Sequence, residues 1–148
     1  MEAFWYEYAD IKNIVGFIAQ NNPVVQSLDI KVTVAEIGNV SLSMKIKPSM
    51  SNSNGICHGG YIFLLADQAA GFCSMSHNQL AVTQSSDIHY ISPGKVNEIL
   101  VATAKEKTRT KRTGLYDVEI TGMDNRLVAL MRSQFVITGP ELVIPKQI

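Results

Sequence analysis

From Phe4 to Ile18 apolar residues recur every three or four positions: Phe4, Tyr8, Ile11, Val15 and Ile18, with Glu7, Asp10 and Lys12 between them. This is the pattern of an amphipathic helix covering one face of something larger, and Asn21-Asn22-Pro23 ends it. The period then changes to two. Ile30, Val32 and Val34 alternate with Lys31 and Thr33, Gly38-Asn39 is a hairpin signal, and Val40, Leu42, Met44 and Ile46 alternate with Ser41, Ser43, Lys45 and Lys47 before Pro48 ends the strand. Beyond a Ser- and Asn-rich loop the alternation disappears. From Gly59-Gly60 to Phe72 the chain is apolar on every side, with Asp67 and Gln68 in the middle, and a helix apolar all round is a buried helix. Four more strands follow, over 81–91, 99–108, 116–121 and 127–137, joined by turns at Pro93-Gly94, Thr113-Gly114 and Gly122–Asn125. The order predicts an α+β fold in which one mostly antiparallel sheet of about six strands wraps a long central helix, with the amphipathic helix added at the N-terminal side. No strand–helix–strand series repeats, which argues against a doubly wound parallel fold.

Strict alternation also assigns faces. On the strand over 81–91 it puts Thr83, Ser85, Asp87 and His89 together, a polar face that is either solvated or lines a site. Further on it aligns Lys105, Lys107, Arg109 and Lys111, followed by Arg112. On charge alone that row is the solvated tip of a hairpin, and a phosphate-rich ligand is the competing reading.

Composition narrows the classes. The 148 residues suit a single domain spanning 1–148, with 46% hydrophobic and 18% charged residues. Thirteen Lys and Arg balance thirteen Asp and Glu, which argues against nucleic acid and membrane surfaces as partners, and the short basic row lacks the interleaved aromatics of a nucleic-acid site. The central apolar run approaches the length of a membrane span, but Asp67 and Gln68 at its centre oppose that reading. Met1-Glu2-Ala3-Phe4-Trp5 does not read as an export signal, so a cytoplasmic location is expected, with Cys57 and Cys73 as reduced thiols rather than a disulfide or metal framework. Cys57 sits just before the helix start, where a thiolate is favoured; a packed loop residue is the preferred reading.

The central stretch carries the chemistry. An ionisable group inside a buried helix is costly unless paired, neutralised or used. Gly59 and Gly60 fall where the helix begins, and open backbone N–H groups at a helix start hold oxyanions. Gly60 and Asp67 lie two turns apart on one face, about 10 Å along the axis. A reacting carbonyl needs its oxygen about 3 Å from the donors and its carbon about 3–3.5 Å from the attacking group. One helix cannot supply both. Two antiparallel copies can, so the expectation is two equivalent sites at a twofold dimer interface.

Four stretches resemble the hotdog-fold thioesterase superfamily, in particular its phenylacetic-acid-degradation type of acyl-CoA thioesterase. They are Asn52 six residues before His58-Gly59-Gly60, Leu65-Ala66-Asp67, Tyr90-Ile91-Ser92-Pro93-Gly94, and Thr113-Gly114-Leu115-Tyr116-Asp117-Val118-Glu119-Ile120. The resemblance covers about residues 28–138. It implies a hotdog fold, dimers that pair into tetramers, and acyl thioesters of coenzyme A as substrates, with no metal and no cofactor apart from the coenzyme A of the substrate. By position it implies that the Gly59 amide polarises the thioester carbonyl, with Gly60 supporting the helix start and Asp67 of the facing subunit activating water or attacking directly. It further implies that Asn52 orients water or carbonyl, that His58 shapes the loop, and that Thr83 stands near the reacting centre. The basic row Lys107, Arg109, Lys111 and Arg112, with Thr113 and the Pro93-Gly94 turn, becomes the expected site for coenzyme A phosphates. A non-catalytic acyl-CoA sensor on the same fold is the alternative function, and a hotdog dehydratase or hydratase a third. Tyr61, Leu64, Leu65, Phe72 and Met75 are candidates for an acyl pocket and equally ordinary core residues.

Overall fold

The computed structural model describes residues 10–142. Phe4 and Tyr8 of the expected amphipathic helix lie outside the described residues. Its remaining part is α1 (Ile11–Gln20), capped by the Asp10 carboxylate, which accepts the Lys12 amide, and buried through Ile14, Val15 and Ile18. Asn22-Pro23 does more than stop it. The Asn22 side chain accepts the Val25 amide and Pro23 occupies the first turn of a second short helix, α2 (Pro23–Ser27). An Asn cap followed by Pro at the first helical position is a start signal as much as a stop.

The hairpin β1 (Lys31–Glu36) and β2 (Asn39–Lys45) turns at Ile37-Gly38, where Gly38 takes φ +74°. After the loop comes the central helix α3 (Gly59–Met75), then β3 (Gln79–Tyr90), β4 (Ile99–Arg109), β5 (Thr113–Thr121) and β6 (Leu127–Glu141). The last strand runs past Ile137 through Gly139-Pro140. Thr113-Gly114 opens β5 rather than forming the turn, which is closed by the Thr110 amide donating to the Thr113 carbonyl. The six strands form one sheet in the order β1-β2-β4-β5-β6-β3, every neighbour antiparallel. α3 lies across its inner face, where it meets β2 through β6. Leu65 and Phe72 of the helix pack with Leu42, Leu100, Tyr116, Ile120 and Phe135 of the sheet, all 0–2% exposed. Each such side chain contributes roughly 1.5–3 kcal/mol by burial. Among the described residues no helix is long and apolar enough to cross a membrane.

Two features depart from strict alternation, and both move functional side chains. In β3 the register shifts between Thr83 and Ser85. A bulge of one residue sends every later side chain to the opposite face. Thr83 therefore shares the inner face with Ser86, Ile88 and Tyr90, while Ser85, Asp87 and His89 point outward. The expected polar face of Thr83, Ser85, Asp87 and His89 does not exist. In β4 a shift between Glu106 and Thr108 does the same. Lys105 and Lys107 are exposed, but Arg109 turns inward opposite Gly114, its side chain 14% exposed.

Candidate active site

The helix start is assembled by its own neighbours. His58 is the N-cap of α3, its Nδ1 accepting the Gly60 N–H at 2.8 Å. The Gly60 amide is thereby committed to His58, and the Gly59 N–H has no acceptor among the described residues. Gly59 thus holds the open donor, and the Gly60 N–H braces the turn. His58 shapes the loop through a ring nitrogen that must be unprotonated to accept. Asn52 lies in the same loop. Its Oδ1 accepts the amides of Asn54 (2.9 Å) and Ile56 (3.4 Å), so the carboxamide NH₂ is the group it presents.

Asp67 is not buried in the single chain. Leu64, Asp67, Gln68, Gly71 and Met75 form a half-exposed stripe along α3, while Leu65, Ala66, Ala69, Ala70 and Phe72 face the sheet. The apolar run therefore has one side that the chain itself leaves uncovered. Thr83 Oγ1 donates to Asp67 Oδ1 at 2.8 Å, bringing together two residues that the sequence placed in one centre on different grounds. Next to Asp67, Gln68 Oε1 accepts from Asn22 Nδ2 at 2.8 Å, tying the stripe to the α2 cap. The edge strand beside it carries exposed Leu80, Val82 and Tyr90, with Ile91 just beyond.

The loop that carries His58 is braced from behind. The Cys57 N–H donates to the Gly94 carbonyl at 2.9 Å, and Ile56 pairs with Lys95. A Cβ on Gly94 would come 3.0 Å from Ile46 Cδ1 and 3.1 Å from Cys57 Cβ, so glycine is needed for the two loops to approach. Gly94 is buried and its backbone faces the chain's own loop. Pro93 is exposed, and its carbonyl accepts from Arg126 Nη2 at 3.0 Å. The same guanidinium reaches both oxygens of Glu98 (3.0 and 2.8 Å) and the Ser92 hydroxyl (3.2 Å). Glu98 is 7% exposed. Burial pushes its carboxyl up, but bonds from Arg126 and from the Lys95 and Met123 amides outweigh it, and the net shift is downward. Neither Glu98 nor Arg126 carried a functional signal in the sequence. Tyr90 did, but only as part of a motif. Its hydroxyl donates to the Gly59 carbonyl at 2.9 Å.

Burial pushes the Cys57 thiol up to about 11, which keeps it protonated at neutral pH and supports the packed-loop reading.

The basic row divides. Lys107 pairs with Asp117 at 3.8 Å, and Arg132 holds the same carboxylate at 2.6 and 2.9 Å. Lys111 and Arg112 are exposed at the hairpin tip, and Thr113 follows with its hydroxyl on that of Thr110. Arg109 leaves the row for the interior, where it donates to the Ser74 carbonyl, the Tyr116 hydroxyl and Gln79 Oε1. Nor does one chain bring this tip to the Pro93-Gly94 turn. Arg109, Gly114, Phe135 and Thr83 form one row across the sheet, and Ala102, Ile120, Ala129 and Tyr90 another. Along β4 these rows are about 20 Å apart at roughly 3.3 Å per residue.

A sheet wrapped on a central helix, with an open amide at the helix start and a carboxylate two turns on, defines a class, and comparison with known proteins gives the same one. The model of the thioesterase superfamily matches residues 54–129, and the chain belongs to that family. The acyl-coenzyme A thioesterase PaaI of Escherichia coli is 32% identical over 115 residues, which cover 78% of this chain and 82% of the relative. The structure of PaaI, from the phenylacetic acid degradation operon of that organism, superposes with a TM-score of 0.88 at 28% identity, covering 90% of this chain and 96% of the other. A Streptococcus mutans protein solved with acetyl-CoA bound gives a TM-score of 0.74 at 30% identity, with coverages of 76% and 91%. The hotdog fold expected from the sequence is the fold observed, and the protein is a thioester hydrolase by family.

Proposed function

We propose that this protein hydrolyses acyl-coenzyme A thioesters at sites formed where two copies of the chain face one another. The observation that carries the reading is the separation of an open donor from an accessible acid on one helix. Gly59 and Asp67 are eight residues apart, about 12 Å along the axis. Neither is closed off, since the Gly59 N–H lacks an acceptor and Asp67 stands on the uncovered stripe. An antiparallel copy sets the Asp67 of one chain against the Gly59 of the other. The exposed apolar residues along β3 support that contact. The same antiparallel arrangement carries the hairpin tip of one chain toward the Pro93-Gly94 turn of its neighbour, so Lys111 and Arg112 come to serve coenzyme A phosphates across the interface. Pairing through β3 leaves the other surfaces free, which suits the tetramer implied by the resemblance.

In the reaction, a water oxygen bonds to the thioester carbon as Asp67 takes its proton, and the carbonyl oxygen becomes an oxyanion held by the Gly59 N–H. Collapse of this intermediate breaks the carbon–sulfur bond, and coenzyme A leaves with the proton. Direct attack by Asp67, through an acyl-enzyme anhydride that water then opens, uses the same groups. Neither route requires a metal or a further cofactor.

The test uses two inactive chains. Asp67→Asn removes the base, and Gly59→Pro deletes the donor; proline suits a first helical turn, and its Cβ displaces the Tyr90 ring that lies 3.1 Å away. Each alone should lower coenzyme A release from an acyl-CoA panel by about 10²–10⁴. Co-expression and purification of mixed dimers should recover a substantial share of wild-type turnover, because one of the two sites then carries no substitution. Mixed dimers as inactive as their parents would overturn the shared site, and wild type that binds acyl-CoA without releasing coenzyme A would overturn the enzyme.

A further inference from the structure

The two glycines at the start of α3 are each closed over by a ring. A Cβ on Gly59 would lie 3.1 Å from Tyr90 Cζ and 3.2 Å from its hydroxyl, and one on Gly60 would lie 3.0 Å from His58 Nδ1. Both rings also make hydrogen bonds to the same peptide unit. Tyr90 donates to the Gly59 carbonyl at 2.9 Å, and the N–H of that peptide, on Gly60, donates to His58 Nδ1 at 2.8 Å. We infer that Tyr90 is a positioning residue for the reaction, holding the Gly59–Gly60 peptide so that the preceding N–H stays aimed at the thioester carbonyl. The inference rests on the reading of Gly59 as the oxyanion donor.

The physical need is plain. Consecutive glycines are the most mobile backbone a helix can begin with, and each weakens a helix by roughly 0.5–1 kcal/mol relative to alanine. An oxyanion donor acts through preorganisation, because it must not reorient as charge develops. The glycine pair conflicts with that requirement unless something fixes it. Fixing the Gly59 carbonyl on one side and the Gly60 N–H on the other leaves the Gly59 dihedrals little freedom, and the Gly59 N–H direction follows. The chain Tyr90 O–H, carbonyl, N–H, imidazole is also aligned head to tail, so each bond polarises the next. Tyr90 comes from the end of β3, where it pairs with Ala129, and it reaches the inner face only because of the bulge after Thr83. The hydroxyl is a donor at neutral pH, as a tyrosine ordinarily is, and partial desolvation, with Cys57 secondarily, shifts its pKa further upward.

Tyr90→Phe keeps the ring over Gly59 and removes only the hydroxyl. The probe is an acyl-CoA ketone analogue with a methylene in place of the thioester sulfur, which binds but cannot be hydrolysed. Isotope-edited infrared difference spectra give its carbonyl stretch, free and bound. In wild type the bound stretch should fall to lower wavenumber, and in Tyr90→Phe that shift should shrink clearly. In parallel, kcat on acyl-CoA should drop about fivefold, the loss of one ordinary hydrogen bond, with KM within about twofold and an unchanged melting temperature. A carbonyl shift identical in the two proteins overturns the inference alone. A wild-type carbonyl with no shift overturns both this inference and the oxyanion reading beneath it. A loss of kcat matched by a fall in melting temperature, with the shift retained, assigns Tyr90 a structural role and also overturns the inference.

Discussion

The two ends of α3 are held by polar networks of similar size and opposite character. At the far end, Arg109 donates to the Ser74 carbonyl (2.9 Å), the Tyr116 hydroxyl (3.1 Å) and Gln79 Oε1 (2.9 Å). Tyr116 in turn donates to Glu106 Oε1 at 2.9 Å, and His77 Nε2 meets the same oxygen at 3.0 Å. Ser76 accepts the Gly38 amide, binding the helix end to the β1–β2 turn. Each side chain in this set has at least one partner, and a Cβ on Gly114 would collide with the Tyr116 hydroxyl. At the near end, His58, Tyr90, Asn52 and the Glu98–Arg126 pair are just as well connected, yet they leave the Gly59 N–H and the Asn52 carboxamide NH₂ open. A network that only braces a fold uses its bonds to join elements to one another. One that prepares a site uses its bonds to hold a donor out of use until substrate arrives.

The largest expected effect tests the far end as a brace. Arg109→Leu strips the counter-charge from Glu106 and leaves the Ser74 carbonyl and Gln79 Oε1 without their donor. Removing one member of such a low-exposure network destabilises by about 3 kcal/mol. Urea unfolding should show that loss, while kcat/KM, measured where both proteins are folded, stays within about twofold of wild type. The reverse result, a raised KM for acyl-CoA at unchanged stability, would make this end a ligand site and erase the contrast.

Next comes the brace behind the near end. Glu98 accepts Arg126 and two backbone amides, and its pKa is depressed from the ordinary 4.5. A carboxylate with a lowered folded pKa contributes stability that is fully present above its unfolded pKa. That contribution fades as pH falls through the folded value. Glu98→Gln should therefore cost about 2 kcal/mol at pH 7, and the gap between variant and wild type should narrow below about pH 4.5. Because Arg126 also holds Pro93 and Ser92, beside the loop that carries His58, turnover should fall together with stability, unlike the response to Arg109→Leu. Melting curves from pH 3 to 8, with kcat at pH 7, separate the two behaviours. A gap that stays constant into acid would show that the carboxylate's charge is not what it contributes.

Much of this was legible in the sequence, and what was missed is not local. Element order, the central helix and the sheet follow from period, turn residues and helix geometry, which are local. Bulges are not. Nothing in Lys105–Arg112 marks the residue at which β4 skips a partner, because the skip is set by the neighbouring strand. One unpaired residue in each strand was enough, removing Arg109 from the basic row in β4 and breaking the face of Thr83, Ser85, Asp87 and His89 in β3. The half-exposed stripe was hidden for another reason. Leu64, Gly71 and Met75 read as core by composition, and composition does not say which side of a helix its own chain leaves uncovered. Arg126 and Glu98 lie 28 positions apart in sequence, and such a pair has no periodic signature.

Thr83 offers the smallest effect and the finest test of the comparison. The bulge that follows it ends the simple alternation of β3, and Thr83 itself faces inward to donate to Asp67 Oδ1 at 2.8 Å. If the near end is prepared for chemistry, this bond orients the acid rather than stabilising the fold. Thr83 is exposed in the single chain, so Thr83→Val, which keeps the side-chain shape and deletes the donor, should change stability by no more than about 0.5 kcal/mol. Turnover should fall about tenfold with KM nearly constant, the signature of an interaction made in the transition state. Thr83→Ser, which restores the hydroxyl, should recover most of the loss. Equal turnover for valine and threonine would mean that Asp67 is aligned by the facing chain alone, and the near end would then owe its readiness to assembly rather than to bonds within one subunit.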